Sequence, residues 1–217
     1  MAGAGPSGPC VIVPVQALAS AKSRLAEVLP DRDRAELVLA MLGDVLEAVR
    51  AAHDGPLLLV TPDEQYELAA AVVGATLLID TGTGYNEAVR LALASSEVEA
   101  AGAAVVVPAD QARAQATDLR SALDALDAHE VVVAPSLDGG TGLLGLRPPD
   151  AIEPAYGPGS AGAHEQAARS AGRSLAVLQL ASLARDIDTV EDLADAEPPL
   201  GPRTAAFVAA RRALLGG

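Results

Sequence analysis

The chain has 217 residues and a formal net charge of -14, which disfavours nucleic-acid backbones and anionic membranes as partners. Hydrophobic residues make up 50% but aromatic residues only 2%, with no Trp, which argues against base-stacking platforms and predicts a core of Ala, Val and Leu. That length suits one α/β domain over 10–217, preceded by a short flexible lead over 1–9 without the basic and apolar regions of a signal peptide.

Short apolar β-rich runs alternate with helical stretches. Cys10–Val15 reads as a first strand, and the chain's one cysteine, Cys10, as a small core residue. Asp33–Ala52 reads as a long helix, with Leu37, Met41, Val45 and Val49 on one face. Leu57–Thr61 is a second strand, and Thr61-Pro62-Asp63 starts a further helix. Thr76–Ile79 is a third strand, Asn86–Ala94 a helix and Ala104–Val107 a fourth strand. Thr117 is placed to cap a helix carrying Leu119, Leu123 and Leu126. Val131–Ala134 and Leu143–Leu146 are the fifth and sixth strands, and Arg203–Leu215 a closing helix. Residues 147–163, rich in Pro and Gly, read as a functional loop. Most strands are unbroken apolar runs, the pattern of strands covered on both faces, so the expected architecture is a mainly parallel sheet between helix layers. In such folds ligands bind beyond the carboxyl ends of the strands.

Four polar clusters fall at such places. Gln16 follows the first strand, with Lys22 and Arg24 beyond it; the two cations would suit a triphosphate, or would lie solvated on a surface helix. Three histidines, His53, His129 and His164, show no zinc spacing. Asp110, just past the fourth strand in VPAD, is either a magnesium ligand or a turn residue. Asp138-Gly139-Gly140-Thr141-Gly142 and Gly157-Pro158-Gly159-Ser160 are small-residue turns with hydroxyls and free N–H groups, suited to a phosphate or carboxylate. In Asp186-Ile187-Asp188 the two carboxylates share one side of an extended segment while Ile187 enters the core. Two like charges so close call for a cation between them; Asp188 or Thr189 also suits the cap of a helix through Glu191, Asp192 and Leu193.

The segments VPVQALASAKSRL, LVLAMLGDVLEAV, GYNEAV, VPAD, SLDGGTGLL, YGPGSAGAH and DIDTVEDL, in this order between residues 13 and 193, resemble the guanylyltransferases of coenzyme F-420 biosynthesis, which activate 2-phospholactate or phosphoenolpyruvate with GTP. The resemblance implies a three-layer Rossmann-like nucleotidyltransferase fold, Mg2+ as cofactor, and GTP and a small phosphoacid as substrates; the single cysteine, which permits no internal disulfide, suits a reducing cytoplasm. It leaves room for a second copy of the chain or a downstream transferase as partner. By position it implies Asp110, Asp186 and Asp188 as catalytic metal carboxylates. Gln16, Lys22, Arg24 and Asn86 would bind nucleotide, and Thr141, Gly157 and Ser160 the acid. The chain departs from the family pattern at Gln16 (usually Lys), Tyr85 (Leu), Gln111-Ala112 (Leu-Pro) and Gly142 (Asn). Two other readings fit part of the pattern: a molybdenum-cofactor guanylyltransferase, disfavoured by the missing Gly-rich N-terminal loop, and a catalytically silent homologue that binds nucleotide or a partner enzyme.

Overall fold

The computed structural model describes residues 8–18, 22–194 and 197–215; the expected N-terminal lead lies outside them except for Gly8 and Pro9. In chain order the elements are β1 (Cys10–Pro14), α1 (Asp31–Ala52), β2 (Leu57–Thr61), α2 (Glu67–Val72), β3 (Thr76–Ile79), α3 (Tyr85–Leu93), α4 (Ser96–Ala101), β4 (Ala104–Val106), α5 (Ala116–Ala128), β5 (Val131–Pro135), β6 (Thr141–Leu146), α6 (Ser160–Ser170), β7 (Leu175–Val177), α7 (Val190–Ala194) and α8 (Pro202–Ala210). The seven strands form one sheet in the order β3-β2-β1-β4-β6-β5-β7. All neighbours are parallel except β6, which runs antiparallel to both β4 and β5. The mainly parallel sheet is therefore as expected. The reversal of β6 follows from the few residues between β5 and β6, enough for a hairpin but too few for a crossover.

Side chains alternate across the strands and feed two apolar layers. Val11, Val13, Leu57, Leu59, Val105 and Val132 pack with the buried stripe of α1 (Leu37, Met41, Val45, Val49) and with α5 and α8. Cys10, Ile12, Leu58, Val60, Val106, Val133 and Leu144 pack on the other face, with Ala88, Val89 and Ala92 of α3, Val98 of α4, and Ala161 and Ala168 of α6. Cys10 is fully buried, and burial pushes its thiol up to about 12, so it is an inert core residue.

Several boundaries differ from the sequence expectation for local reasons. Helix α1 starts two residues earlier, directly after Pro30, and places Asp31 and Asp33 in the first turn, where the positive end of the helix dipole favours them. After β2 the Asp63 carboxylate accepts the Gln65 N–H at 3.0 Å and starts a short 3-10 turn, Glu64–Tyr66, that leads into α2. Thr117 lies inside the first turn of α5, with Gln115 at the cap position, so its expected capping role is not realised. Residues 147–163 do not form one loop: Gly159, at φ +71, closes the irregular stretch and Ser160 opens α6. The last helix ends at Ala210. Its first turn is fixed by buried Asp44 of α1, which accepts the Arg203 and Thr204 N–H groups at 2.9 and 2.8 Å. Among the described residues no helix is long and apolar enough to cross a membrane.

Gly142 explains one departure from the family pattern. A Cβ built there would lie 1.9 Å from the Leu183 carbonyl oxygen, because residues 181–183 run directly over the start of β6. Backbone cannot give way as a flexible side chain does. Gly142→Ala is therefore expected to lower stability by about 1–3 kcal/mol, the usual range for overpacking, measured as a lower denaturant midpoint at unchanged slope. An unaltered midpoint would show that the 181–183 turn moves aside freely.

Candidate active site

The carboxyl ends of β1 and β4 point into a cavity of about 460 Å³. Its wall includes Gln16, Lys22, Arg24, Asp110, Thr141, Gly157, Ser160, Asp186 and Asp188, nine of the ten residues singled out from the sequence. They arrive from separate places: the turn after β1, the end of β4, the start of β6, the junction into α6, and the strand-like approach to α7.

One backbone hydrogen bond brings the acidic segments together. The Ile187 N–H donates to the Asp110 carbonyl at 3.3 Å, and the Ile187 side chain is fully buried. Asp186 and Asp188, on either side of it, therefore turn to the cavity, where one carboxylate oxygen from each of Asp110, Asp186 and Asp188 lies within 4.8 Å of the others. The helix-capping reading holds as well. The Asp188 and Thr189 N–H groups donate to Asp192 Oδ2 at 3.0 and 2.7 Å, and Asp192 N–H reaches back to Thr189 Oγ1 at 3.4 Å. This reciprocal cap uses the Asp192 side chain and the Asp188 backbone, so the Asp188 carboxylate remains available.

Lys22 is the cation among these acids. Its Nζ donates to Asp110 Oδ2 at 2.8 Å and to Asp188 Oδ1 at 2.9 Å, and its side chain is only 9% exposed. It is not one of two solvated surface cations. Burial alone would lower its pKa, but the carboxylates of Asp110 and Asp188 outweigh that and hold it raised. Lys22 is also the one non-glycine with positive φ among the described residues, at 52°, a conformation that costs strain and persists where surroundings enforce it. Arg24, 71% exposed, donates to Asp188 Oδ2 at 2.9 Å.

Among the described residues Asp186 has no ion pair of its own. Burial, and then the facing charges of Asp110 and Asp188, push its carboxyl up to about 6. Three carboxylates that converge, with one destabilised by the other two, form a hard-oxygen donor set that fits a divalent cation.

Opposite the acids, Thr141 and Ser160 share a hydrogen bond of 2.8 Å between their hydroxyls. Ser160 is the first residue of α6, so the positive end of that helix adjoins the hydroxyl pair and suits an anion. Asn86, the tenth residue, does not line the cavity. Both ends of its amide hold the loop before α6: Nδ2 donates to the Tyr156 carbonyl at 3.0 Å, and Oδ1 accepts the Tyr156 N–H at 2.7 Å. These two bonds use one Nδ2 hydrogen and one Oδ1 lone pair, and through them Asn86 shapes the wall by way of the Tyr156 backbone.

Sequence reasoning noted Tyr85 only as a departure from the family pattern and missed what the tyrosines do. Only three exist in the chain, and all three serve this cavity. Tyr85 and Tyr156 line it in an edge-to-face pair with ring centroids 4.9 Å apart, and neither hydroxyl has a hydrogen-bond partner in the described protein. Tyr66 donates its hydroxyl to the Gln16 carbonyl at 2.8 Å and pins the rim. Gln111, another departure from the family pattern, is 2% exposed on the wall, and its Oε1 is likewise unpartnered. The signal was the scarcity itself: where aromatics make up 2% of a chain, each large polar ring is placed for a reason that the Ala-Val-Leu core does not supply.

A mainly parallel α/β sheet with an acidic triad and a nearly buried lysine at its strand ends carries what nucleotidyl transfer needs, a place for a divalent cation beside a fixed positive charge. Known structures share this fold: a protein from Desulfovibrio desulfuricans assigned as a nucleotide-diphospho-sugar transferase superposes with a TM-score of 0.78 at 20% identity, covering 95% of this chain and 96% of that one. CMP:2-keto-3-deoxy-manno-octonic acid synthetase does so with a TM-score of 0.58 at 12% identity, covering 95% and 100%. The chain belongs to the CofC-like guanylyl transferase family, whose model matches residues 9–196. It is 42% identical over 184 residues to the phosphoenolpyruvate guanylyltransferase of Sphaerobacter thermophilus, covering 84% of this chain and 89% of that one. It is 41% identical over 201 residues to the 3-phospho-D-glycerate guanylyltransferase of Phenylobacterium zucineum, covering 89% and 92%. The chain is thus a guanylyltransferase, and the molybdenum-cofactor alternative falls away.

Proposed function

We propose that the chain transfers GMP from GTP to a three-carbon phosphoacid in the cytoplasm, as a step of coenzyme F-420 biosynthesis, with Mg2+ as cofactor. The observation that carries this reading is the convergence of Asp110, Asp186, Asp188 and Lys22 on the same cavity wall, facing Thr141, Gly157 and Ser160. An oxygen of the acid's phosphate attacks the α-phosphorus of GTP, a new P–O bond forms, and the bond to the β-phosphate oxygen breaks to release pyrophosphate. The attacking group is already anionic, so the protein needs no nucleophile of its own and works by positioning and neutralising charge. Asp110, Asp186 and Asp188 would hold Mg2+, which, when bound, neutralises phosphate charge as it develops. Lys22 and Arg24 supply the protein's cations at the triphosphate. Thr141, Ser160 and the start of α6 hold the acid.

The two relatives named above, at 42% and 41% identity, carry different acids in their names, so identity does not choose between them. Pyrophosphate release from GTP with phosphoenolpyruvate, 2-phospholactate and 3-phosphoglycerate in turn tests the reading. One acid should support turnover well above the others. Turnover with none of them, despite GTP binding, would favour a silent homologue.

Gln16 gives a second test. It is exposed at the cavity rim, with its backbone held by Tyr66. A Lys there adds a full charge, and a charge-assisted hydrogen bond contributes about 1.5–3 kcal/mol, so Gln16→Lys should tighten GTP binding about tenfold or more. Unchanged GTP affinity and unchanged turnover would remove Gln16 from the nucleotide site.

A further inference from the structure

Behind the hydroxyl pair lies a residue that the reaction scheme does not use. His164 of α6 is fully buried, and both of its ring nitrogens are engaged. Nε2 lies 2.9 Å from the Ala155 backbone nitrogen, and Nδ1 lies 3.0 Å from Thr141 Oγ1. A backbone N–H can only donate, so Nε2 must carry a lone pair. Burial lowers the ring's pKa to about 4, so the imidazole is neutral and its single proton sits on Nδ1, which donates to Thr141. The ring is further held edge-on by Tyr156, with centroids 5.3 Å apart.

This fixes the hydrogens of the pair. Thr141 and Ser160 have two hydroxyl hydrogens between them and spend one on their mutual bond of 2.8 Å. Thr141 cannot turn the other back toward His164, because Nδ1 is already a donor. The second hydroxyl hydrogen is therefore left for the cavity that both residues line. We propose that His164 is a positioning residue that orders the Thr141–Ser160 pair so that it presents an O–H donor, not a lone pair, to the anionic group of the acid. This rests on the reading that Thr141 and Ser160 hold the acid.

Two substitutions in the full chain separate this role from a structural one. His164→Asn places an amide near the position of Nδ1, where it still donates to Thr141 but loses Ala155. His164→Gln reaches the position of Nε2, keeps Ala155 and loses Thr141. The expected result is a rise of about tenfold or more in KM for the acid in His164→Gln, with KM for GTP unchanged, and a clearly smaller rise in His164→Asn. The reverse order would show a loop anchor only and overturn the proposal. Nitrogen NMR of the wild-type imidazole needs no variant to fold: a proton on Nδ1 is expected, and a proton on Nε2 would overturn the proposal. Ser160→Ala tests the underlying reading and should raise KM for the acid more than for GTP. If it affects both equally, the acid site itself is misplaced; if it behaves as expected while His164→Gln is silent, only the role of His164 fails.

Discussion

Asp188→Asn is expected to reduce turnover on the order of 10³-fold while leaving the fold intact, since removing one preorganised electrostatic group costs about 10²–10³ and, in the proposed reading, this one would also hold the metal. The carboxylate accepts from Lys22 through Oδ1 and from Arg24 through Oδ2, both at 2.9 Å. Asn has the same shape but no charge, so it holds neither cation firmly and is a poor ligand for a hard divalent ion. The start of α7 is insulated from the change, because the cap there uses Asp192 Oδ2 and the backbone N–H groups of Asp188 and Thr189. Asp186, one of whose raising influences is Asp188, is relieved by the same substitution. Thermal melting should therefore stay close to that of the parent chain while Mg2+-dependent turnover collapses. Full turnover at saturating Mg2+ would remove Asp188 from the reaction.

Lys22→Ala is expected to lower turnover about 100-fold, far more than Gln16→Ala, because Lys22 is the nearly buried cation between two of the three acids. Its loss leaves Asp110, Asp186 and Asp188 facing one another without that compensation, and like charges in a partly buried site repel strongly. The metal-free variant should melt at a lower temperature than the parent, and Mg2+ should restore much of the difference by supplying the missing positive charge. Both Lys and Ala carry a Cβ, so the left-handed backbone at this position penalises them alike and does not confound the comparison. If Gln16→Ala proves as damaging as Lys22→Ala, the charge assignment in this loop is wrong.

Much of the fold could be read locally. β2 and β3 match their expected limits because apolar β-rich runs there end at Pro, Gly or Asp. The stripe Leu37, Met41, Val45, Val49 is buried along its length because i+4 spacing keeps one face of a helix toward the sheet. The pattern failed where an element is short or breaks composition rules. β7 has three residues, only partly covered at the sheet edge, and leaves no periodic signal. The start of α6 is hidden because Gly157-Pro158-Gly159 reads as loop until the backbone turns at Gly159.

The sequence by itself determined the class of chemistry: acidic residues at strand ends, a pair spaced Asp-x-Asp, and hydroxyls set among glycines are local patterns, and each ends up on the cavity wall. Only the tertiary structure decided how they act together. Lys22 meets Asp110 across 88 positions and Asp188 across 166, so its burial and its two partners exist only once β1 and β4 lie side by side in the sheet. The same holds for Asn86, whose amide pairs with the Tyr156 backbone, and for His164, whose tautomer is set by a backbone N–H nine residues away. Charge, hydropathy and spacing are properties of the chain, whereas desolvation and hydrogen-bond direction arise only from what the fold packs against each group.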